Sequence, residues 1–335
     1  MKYLKYKDVV LVPKYSTCES RSNNNTSCML GGMEFKSPVI PANMKSVINE
    51  KICKEFSEAG YFYIMHRFGI DNFDFVETAN KEDWDLISIS IGVNLEKESE
   101  FLNKILASEL RVDYITIDIA HGHSIHMYRM IERIRAQFPE IYIIAGNVAT
   151  PQAVIDLSVW GADCVKVGIG QGSPCTTKDK TGFTLPMFSC IKQCSGQVMA
   201  DWFEIANASE KKISDEFNIS LPIPIIADGG VECNGDITKA LVAGALMVMA
   251  GGLFAQCKDS AASIGYDKRK KYFGSASIDN KRENKHIEGK LNRIEEINQS
   301  ISDRLLEIKE DLQSSISYAG GSELSCLGNV QYEEV

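Results

Sequence analysis

The sequence predicts an α/β protein, a closed (β/α)8 TIM barrel, and three observations predict it. Short apolar, β-branched or aromatic runs alternate with longer helical stretches from Ser37 onward. The short runs are continuously apolar, as expected for parallel strands that are covered on both faces. Eight such units fit into a chain of 335 residues. The structural alternative, a doubly wound sheet, more often has roughly five to seven strands.

The elements follow one another along the chain with the same pattern. Thr150 and Pro151 show how one helix begins, because a capping hydroxyl precedes a proline in the first turn. The predicted strands are Pro38–Pro41, Tyr61–Met65, Ile87–Val93, Tyr114–Ala120, Ile141–Val148, Cys164–Ile169, Ile223–Ala227 and Leu246–Ala250. The predicted helices are Asn49–Ala59, Asn72–Glu82, Lys97–Glu109, His123–Phe138, Thr150–Trp160, Met187–Glu204 and Gly235–Ala243.

The whole chain is expected to form a single domain. Apolar residues recur at helical spacing between Lys290 and Ser315, which predicts a C-terminal helix. Residues 206–220 are polar and charged, which predicts a solvated insert between the sixth and seventh strands. The predicted divisions of the chain are an N-terminal extension (1–36), the barrel (37–255), a mobile active-site segment (256–290) and the C-terminal helix with its tail (291–335).

Composition limits the classes of partner. The formal net charge of −9 argues against a nucleic-acid partner, since such proteins usually carry a basic face. It does not exclude a phosphate ligand, which backbone amides and helix ends can hold. The ten cysteines show no CxxC spacing, the first residues lack the apolar core of a signal peptide, and no apolar run approaches the length of a membrane span. We therefore expect a cytoplasmic protein with reduced thiols and no membrane contact.

Polar groups and glycines follow nearly every predicted strand. In a (β/α)8 barrel the carboxyl ends of the strands meet at one rim, where ligands bind. Each group alone is a weak signal, but packing alone does not explain so many together. The groups are Ala42–Met44, His66–Arg67, Asp118–Ser124, Gly146–Asn147, the loop around Cys175, Asp228–Gly230 and Gly251–Gly252.

The loop around Cys175 is the central candidate. The apolar run that begins at Cys164 gives way to Gly168, Gly170 and Gly172, and Cys175 and two threonines follow. Glycines allow tight turns and close approach to a ligand. A thiol at such a turn is a candidate nucleophile if its pKa is lowered. The alternative is a buried cysteine that acts as a small hydrophobic residue.

The glycines after the last two strands predict a phosphate site. Gly229, Gly230, Gly251 and Gly252 fit the usual barrel arrangement, in which backbone amides and a short helix hold the anion. Asp228 directly precedes them, and its carboxylate could accept hydrogen bonds from a ribose diol. Alternatively, Asp228 is a turn or capping residue.

Other candidate ligands carry weaker signals. His121 and His123 suggest a metal, but no third ligand with a recognisable spacing appears, so we favour polar roles for both. Arg67 and Lys178 could contact a phosphate or cofactor, or could be solvated charges. The glycines of the Cys175 loop lack the spacing of a Rossmann dinucleotide fingerprint.

A set of segments distributed over nearly the whole chain carries a resemblance. The segments are Ala42–Met44, Gly60–Phe68, Tyr114–Ser124, Ile144–Val148, Lys166–Gly170, Cys175–Thr177, Ala227–Gly230, Tyr272–Ser277, Glu288–Lys290 and Asp311–Gly321. In combination they resemble the inosine monophosphate dehydrogenase/guanosine monophosphate reductase family. The match is closest to the reductase branch, in its shorter bacterial form.

The resemblance implies a reaction and its catalytic residues. GMP and NADPH would give IMP, ammonia and NADP+. The Cys175 thiolate would attack purine C2, ammonia would leave, and hydride would reduce the resulting covalent thioimidate. By the family pattern, Thr177 and Glu288 would form the acid–base relay that this chemistry needs.

The resemblance also implies binding roles, a cation and an assembly. The substrate-binding residues would be Ser173, Asp228, Gly229, Gly230, Gly251, Gly252, Gly274, Ser275, Ala276, Lys285 and Gly289. The residues at the cofactor would be Arg67, Asp118, Ile119 and Ala120. Backbone carbonyls of Gly170, Gly172 and Cys175 match a potassium-binding loop in the family. The family's assembly implies a homotetramer.

Two alternatives to this activity remain. The first is an IMP dehydrogenase without its regulatory insert, but no Arg-Tyr dipeptide occurs between Gly252 and Ser315 to activate water. The second is a non-catalytic barrel that binds purine nucleotides, which would not require Cys175, Thr177 and Glu288 together. Pro174, directly before the cysteine, departs from the family pattern and bears on the flexibility of the loop.

Overall fold

The computed structural model of the chain describes residues 2–195, 223–281, 285 and 287–335. Its centre is a parallel sheet of seven strands that curls into a TIM-barrel-like α/β fold. This confirms the predicted fold class. In spatial order the strands are Val39–Pro41, Met247–Ala250, Ile225–Asp228, Cys164–Val167, Tyr142–Val148, Tyr114–Asp118 and Ser88–Ile91.

The second predicted strand, Tyr61–Met65, is not a strand of this sheet, and that prediction is wrong. Met65 forms a single parallel bridge with Ile89. Its carbonyl accepts the backbone N–H of Ser90 at 3.0 Å. The segment lacks the repeated ladder bonds that define a strand, yet Phe62 to Met65 are buried. The segment therefore lies beside the edge strand Ser88–Ile91, where an eighth strand is expected, and is held by its buried side chains and this one bridge.

Side-chain caps begin four of the helices that cover the sheet, including the predicted cap at Thr150. The side chains of Asn49, Asn94, Ser124 and Thr150 each accept a backbone N–H from the first turn. The sixth predicted helix ends earlier than expected, at Cys194, because the backbone of Ser195 is extended. The rest of its predicted range, 196–204, and the insert 206–220 lie outside the described residues. The helices are Glu50–Ala59, Asn72–Lys81, Leu95–Ala107, Ile125–Gln137, Pro151–Val159, Met187–Cys194 and Asn234–Val242.

Both faces of the sheet are buried, which explains why its strands lack exposed polar residues at alternate positions. All four residues of Ser88–Ile91, Cys164–Val167 and Met247–Ala250 are buried, because side chains fill the barrel inside and helices cover it outside. One of these buried residues is Lys166, which is 2% exposed. A buried charge must be paired to be stable, and Lys166 is paired with carboxylates at the carboxyl-end rim of the barrel.

The two chain ends pair with each other, and a small hairpin is joined to the barrel. Val9–Leu11 pairs antiparallel with Tyr332–Glu334. Cys28–Leu30 pairs with Met33–Phe35. The Tyr114 hydroxyl donates to the Leu30 carbonyl at 2.7 Å and joins this hairpin to the barrel. The short helices are Tyr6–Asp8, Arg21–Asn23, Thr177–Thr181, Gly252–Ala255, Ile278–Lys281 and Leu324–Asn329.

The predicted start of the C-terminal helix is wrong. Leu291–Ile294 is a strand that pairs antiparallel with Lys270–Phe273, and the helix spans Ile301–Tyr318. Ser300 begins the helix with a capping box that includes Asp303. The apolar spacing near residue 291 suits a half-buried strand as well as a helix, and its partner strand lies too far back in the sequence for local periodicity to reveal it.

Whether residues 256–290 move stays a prediction. Among the residues described above, no helix is long and apolar enough to cross a membrane.

Candidate active site

The loop that carries Cys175 passes directly against the neighbouring strand. Gly168 follows the Cys164–Val167 strand and has a φ of +140°. A Cβ at this position would lie 2.0 Å from the Asp228 carbonyl oxygen. Only glycine fits this approach, so Gly168 turns the chain across the rim and delivers Cys175 beside the Ile225–Asp228 strand.

A thiol, a hydroxyl and a carboxylate form one hydrogen-bonded chain. The Cys175 thiol donates to Thr177 Oγ1, with a sulfur–oxygen distance of 3.1 Å. Thr177 Oγ1 donates to Glu288 Oε2 at 2.7 Å. The structure thus brings together the three residues that the resemblance implied as catalytic, although Glu288 is 111 positions from Thr177. This arrangement can move a proton from sulfur toward the carboxylate.

Backbone hydrogen bonds hold the Cys175 loop against the segment that carries Glu288. Cys175 and Gly289 form an antiparallel bridge. The Thr176 N–H donates to the Glu288 carbonyl at 2.8 Å. The position of Glu288 therefore does not depend on its side chain alone. Further bonds run from Lys290 N to Pro174 O at 2.8 Å, from Lys180 Nζ to Ile287 O at 2.6 Å and from Asn292 Nδ2 to Ser173 Oγ at 3.0 Å.

A buried lysine lies between two carboxylates beside the thiol loop. Lys166 Nζ is 2.7 Å from Asp118 Oδ1 and 2.7 Å from Asp228 Oδ2. Burial alone would lower the pKa of Lys166, but the two carboxylates raise it above its ordinary value. Burial would raise the pKa of Asp118, but the charge and hydrogen bond of Lys166, with help from Arg67, hold it below its usual range. Lys166 and Asp118 are therefore both charged at neutral pH.

Two amides complete the arrangement around the lysine. Asn147 Nδ2 donates to Asp228 Oδ2 at 2.9 Å, and Asn43 Nδ2 is 3.2 Å from Asp118 Oδ2. Both oxygens of Asp118 are engaged, whereas no described residue forms a hydrogen bond with Asp228 Oδ1. Asp228 therefore keeps an acceptor available for a ligand.

The residues predicted at the cofactor lie on the far side of this lysine. Arg67 Nη2 donates to the Asp118 carbonyl at 3.2 Å. Its buried Nε has no hydrogen-bond partner among the described residues. Ile119 is half-buried and Ala120 is exposed. These two apolar residues thus directly follow the carbonyl that binds the Arg67 guanidinium.

The predicted phosphate glycines adjoin the thiol loop and a tyrosine. A Cβ at Gly229 would lie 3.2 Å from the Gly172 nitrogen, and a Cβ at Gly251 would lie 2.2 Å from the Tyr272 hydroxyl. Gly252 begins a short helix. Burial, together with the charge of Asp228, raises the pKa of Tyr272, which keeps its phenol protonated as a donor. The glycine backbone thus lies close to the Gly172 nitrogen and to the Tyr272 hydroxyl.

Several other predicted residues bind neighbouring groups of the protein itself. The Cys175 N–H donates to the Gly172 carbonyl at 2.9 Å, which occupies one lone pair of that predicted potassium ligand. His123 Nε2 lies 2.7 Å from Asp156 Oδ2, away from the thiol chain. Lys285 is exposed. The carbonyls of Gly274, Ser275 and Ala276 accept hydrogen bonds from Ser277 N, Asn280 Nδ2 and Glu288 N at 3.0, 2.8 and 3.1 Å.

The sequence predicts no individual role for Lys166, Tyr272, Asn43 or Asn147. Lys166 left a usable signal, because a charge within the apolar run Cys-Val-Lys-Val must be paired when it is buried. Tyr272 left none, because it reaches the site from a hairpin whose pairing the sequence did not predict.

His66, next to Arg67, makes the stability of the fold depend on pH. It is 3% exposed, and its Nδ1 accepts the Phe68 N–H at 3.3 Å. Burial, with a smaller effect from Lys45, lowers the pKa of His66 from 6.5 to about 4. Between these values the unfolded chain binds a proton that the folded chain does not. The His66 contribution is therefore complete above the unfolded pKa and decreases as pH falls toward the folded pKa.

We expect this loss to be about 3 kcal/mol of unfolding free energy. Urea unfolding across this pH range measures it, and a His66→Gln variant should lack this part of the pH dependence. An identical pH dependence in the variant would contradict the assignment to His66.

The fold and the site are typical of a barrel enzyme, in which reactive groups lie at the carboxyl ends of the strands. Comparison with known proteins is consistent with this class. Residues 3–333 match the family described as IMP dehydrogenase / GMP reductase domain. A protein named GMP reductase from Helicobacter pylori (strain ATCC 700392 / 26695) is 45% identical over 336 residues, which cover 99% of this chain and 95% of the relative.

Two further relatives carry the same name. The Acidovorax ebreus (strain TPSY) protein is 43% identical over 337 residues, covering 99% of this chain and 96% of its own length. The Lysinibacillus sphaericus (strain C3-41) protein is 44% identical over 331 residues, covering 98% and 94%. The chain therefore belongs to the IMP dehydrogenase/GMP reductase family, whose members are oxidoreductases that act on GMP or IMP.

Proposed function

We propose that this chain is a GMP reductase. It would convert GMP, NADPH and two protons into IMP, ammonium and NADP+. The observation that carries the proposal is the hydrogen-bonded chain from Cys175 through Thr177 to Glu288. The names of the most similar relatives support the reductive direction.

The thiol, hydroxyl and carboxylate account for the bond changes at purine C2. As the Cys175 sulfur bonds to C2, its proton moves to Thr177, and the Thr177 proton moves to Glu288. Glu288 then returns a proton through Thr177 to the departing amine. The carbon–nitrogen bond breaks and leaves a thioimidate between Cys175 and the purine.

The residues around Lys166 suit the two ligands. Asp228 Oδ1 is available to accept a ribose hydroxyl, and the glycines with Tyr272 suit the phosphate. The apolar residues Ile119 and Ala120, which follow the carbonyl bound by Arg67, suit the apolar nicotinamide ring of the cofactor. When bound there, NADPH supplies the hydride that replaces sulfur at C2.

A cofactor-absorbance assay on the purified protein tests the proposal. One sample contains GMP and NADPH, and a second contains IMP, NAD+ and potassium. We expect NADPH to be consumed in the first sample, with equal amounts of ammonia and IMP formed. NADH formation in the second sample alone would identify the dehydrogenase. GMP binding without reaction in either sample would indicate a non-catalytic nucleotide-binding barrel.

Potassium is proposed as an activator that would be held by the carbonyls of Gly170, Gly172 and Cys175. The Gly172 carbonyl oxygen accepts the Cys175 N–H, and its second lone pair could bind a cation. A cation bound there would restrict the motion of the Cys175 loop. Replacing potassium by lithium at constant ionic strength should lower the rate several-fold, because lithium is too small for such a carbonyl ring. Equal rates in the two salts would contradict the site.

The resemblance also supports a homotetramer as the proposed assembly. Light scattering during size-exclusion chromatography measures this directly. We expect four times the mass of one 37.2 kDa chain. A stable monomer that retains full activity would contradict the proposed assembly.

A further inference from the structure

Lys166 connects the two sides of the candidate active site. Its ammonium donates to Asp228, the carboxylate proposed to hold ribose, and also contacts Asp118, which lies on the cofactor side. Both oxygens are 2.7 Å from the same nitrogen, so they lie at most twice that distance apart. The lysine side chain is 2% exposed, which leaves little solvent to screen the two carboxylates from each other.

The charges show why both carboxylates depend on this lysine. Without the ammonium, Asp118 and Asp228 would face each other as like charges in a buried region, where repulsion is strong. Asn43 and Asn147 each bind one of the carboxylates, but neither carries a charge. Arg67 donates to the backbone carbonyl of Asp118, and its charge lowers the pKa of Asp118 less than the charge of Lys166 does. Removal of Lys166 should therefore displace Asp228 because Asp118 remains.

We propose that Lys166 is a positioning residue that couples the nucleotide and cofactor pockets by holding Asp118 and Asp228 on a shared ammonium. The identities of the two ligands rest on the proposed function. The coupling predicts a specific pattern: a substitution on the cofactor side should restore nucleotide binding that was lost by substitution of the lysine. A residue that merely filled space would not give this pattern.

A double-mutant cycle on the full chain tests the coupling, with GMP binding measured by calorimetry in the absence of cofactor. We expect Lys166→Met to weaken GMP binding by about tenfold or more, a typical size for coupled charges. Asp118→Asn alone should change the affinity by less than about threefold. In the Lys166→Met background, Asp118→Asn removes the repulsion and should return the affinity most of the way to the wild-type value.

Thermal unfolding of the same proteins provides a second readout. Asp118→Asn should lower the midpoint of the wild-type chain but raise that of Lys166→Met. A second double-mutant cycle uses Lys166→Gln, which keeps a hydrogen-bond donor and removes the charge. It provides the test if the Lys166→Met variant does not fold. Lys270 is the matched control, because it is another buried lysine, paired with Glu296. Asp118→Asn should not rescue Lys270→Met.

The outcomes separate this inference from the proposed function. If the wild-type chain binds GMP but Asp118→Asn rescues neither the Lys166→Met nor the Lys166→Gln variant, the coupling is wrong and the proposed function stands. If the wild-type chain does not bind GMP, the proposed function and the inference both fail. Rescue of the lysine variants, without rescue of Lys270→Met, supports the coupling.

Discussion

Cys175→Ala is expected to abolish GMP reduction, with a loss in kcat of at least about 10⁴-fold. The substitution removes the sulfur that would bond to purine C2, so ammonia has no covalent route of departure. GMP should still bind with an affinity within about threefold of wild type, because Asp228 and the phosphate glycines remain. Stopped assays of ammonia release and calorimetry of GMP binding measure the two effects separately.

Cys18→Ala is the matched control for this result. Cys18 is a partly buried thiol of the N-terminal extension, and it lies near Asn24 rather than the barrel rim. Its replacement should leave kcat unchanged. A Cys175→Ala protein that still released ammonia at a tenth of the wild-type rate would contradict covalent catalysis at this residue.

Glu288→Gln is expected to lower kcat by about 10²–10⁴-fold, the usual range for loss of a general acid–base group. Glutamine can keep the hydrogen bond with Thr177 but cannot take up and return the proton. The backbone of residue 288 should stay in place, since its carbonyl accepts the Thr176 N–H and its N–H donates to Ala276 O. The KM for GMP should therefore change little. Steady-state kinetics over a range of GMP concentrations measures both parameters.

Glu295→Gln controls for the loss of a carboxylate in the same part of the chain. The Glu295 side chain is 75% exposed and pairs with Arg269. We expect wild-type kcat and KM from this variant. Equal activity of Glu288→Gln and Glu295→Gln would mean that Glu288 does not relay the proton, and that the contact with Thr177 only positions the loop.

The fold class was predictable because both faces of the central sheet are buried. Short runs rich in apolar and β-branched residues therefore marked seven strands, and the capping residue Thr150 marked the start of one helix. Two elements were predicted wrongly for the same reason. Tyr61–Met65 is as apolar as a strand but forms one bridge, and Leu291–Ile294 has helical spacing but pairs with Lys270–Phe273. Hydrogen bonding between distant segments decides both cases, and local periodicity does not record it.

The candidate site was predictable to a similar degree. Glycines and polar residues after the strands located the rim, and the family resemblance supplied Glu288, which lies in a polar stretch that carries no signal of its own. The lysine between Asp118 and Asp228 was not predicted, because strand alternation alone does not show which neighbouring carboxylates a side chain will meet. Tyr272 was missed because it enters on the hairpin.

The most direct measurement is mass spectrometry of the protein after incubation with IMP and NADP+ in the absence of ammonia. In this reverse direction the Cys175 thiolate should add to C2 and hydride should leave to NADP+, and without ammonia the thioimidate should persist. After rapid acid quenching, we expect a nucleotide adduct on the peptide that contains Cys175 and none in Cys175→Ala. An adduct on another cysteine, or active protein that forms no adduct, would contradict the proposed covalent mechanism.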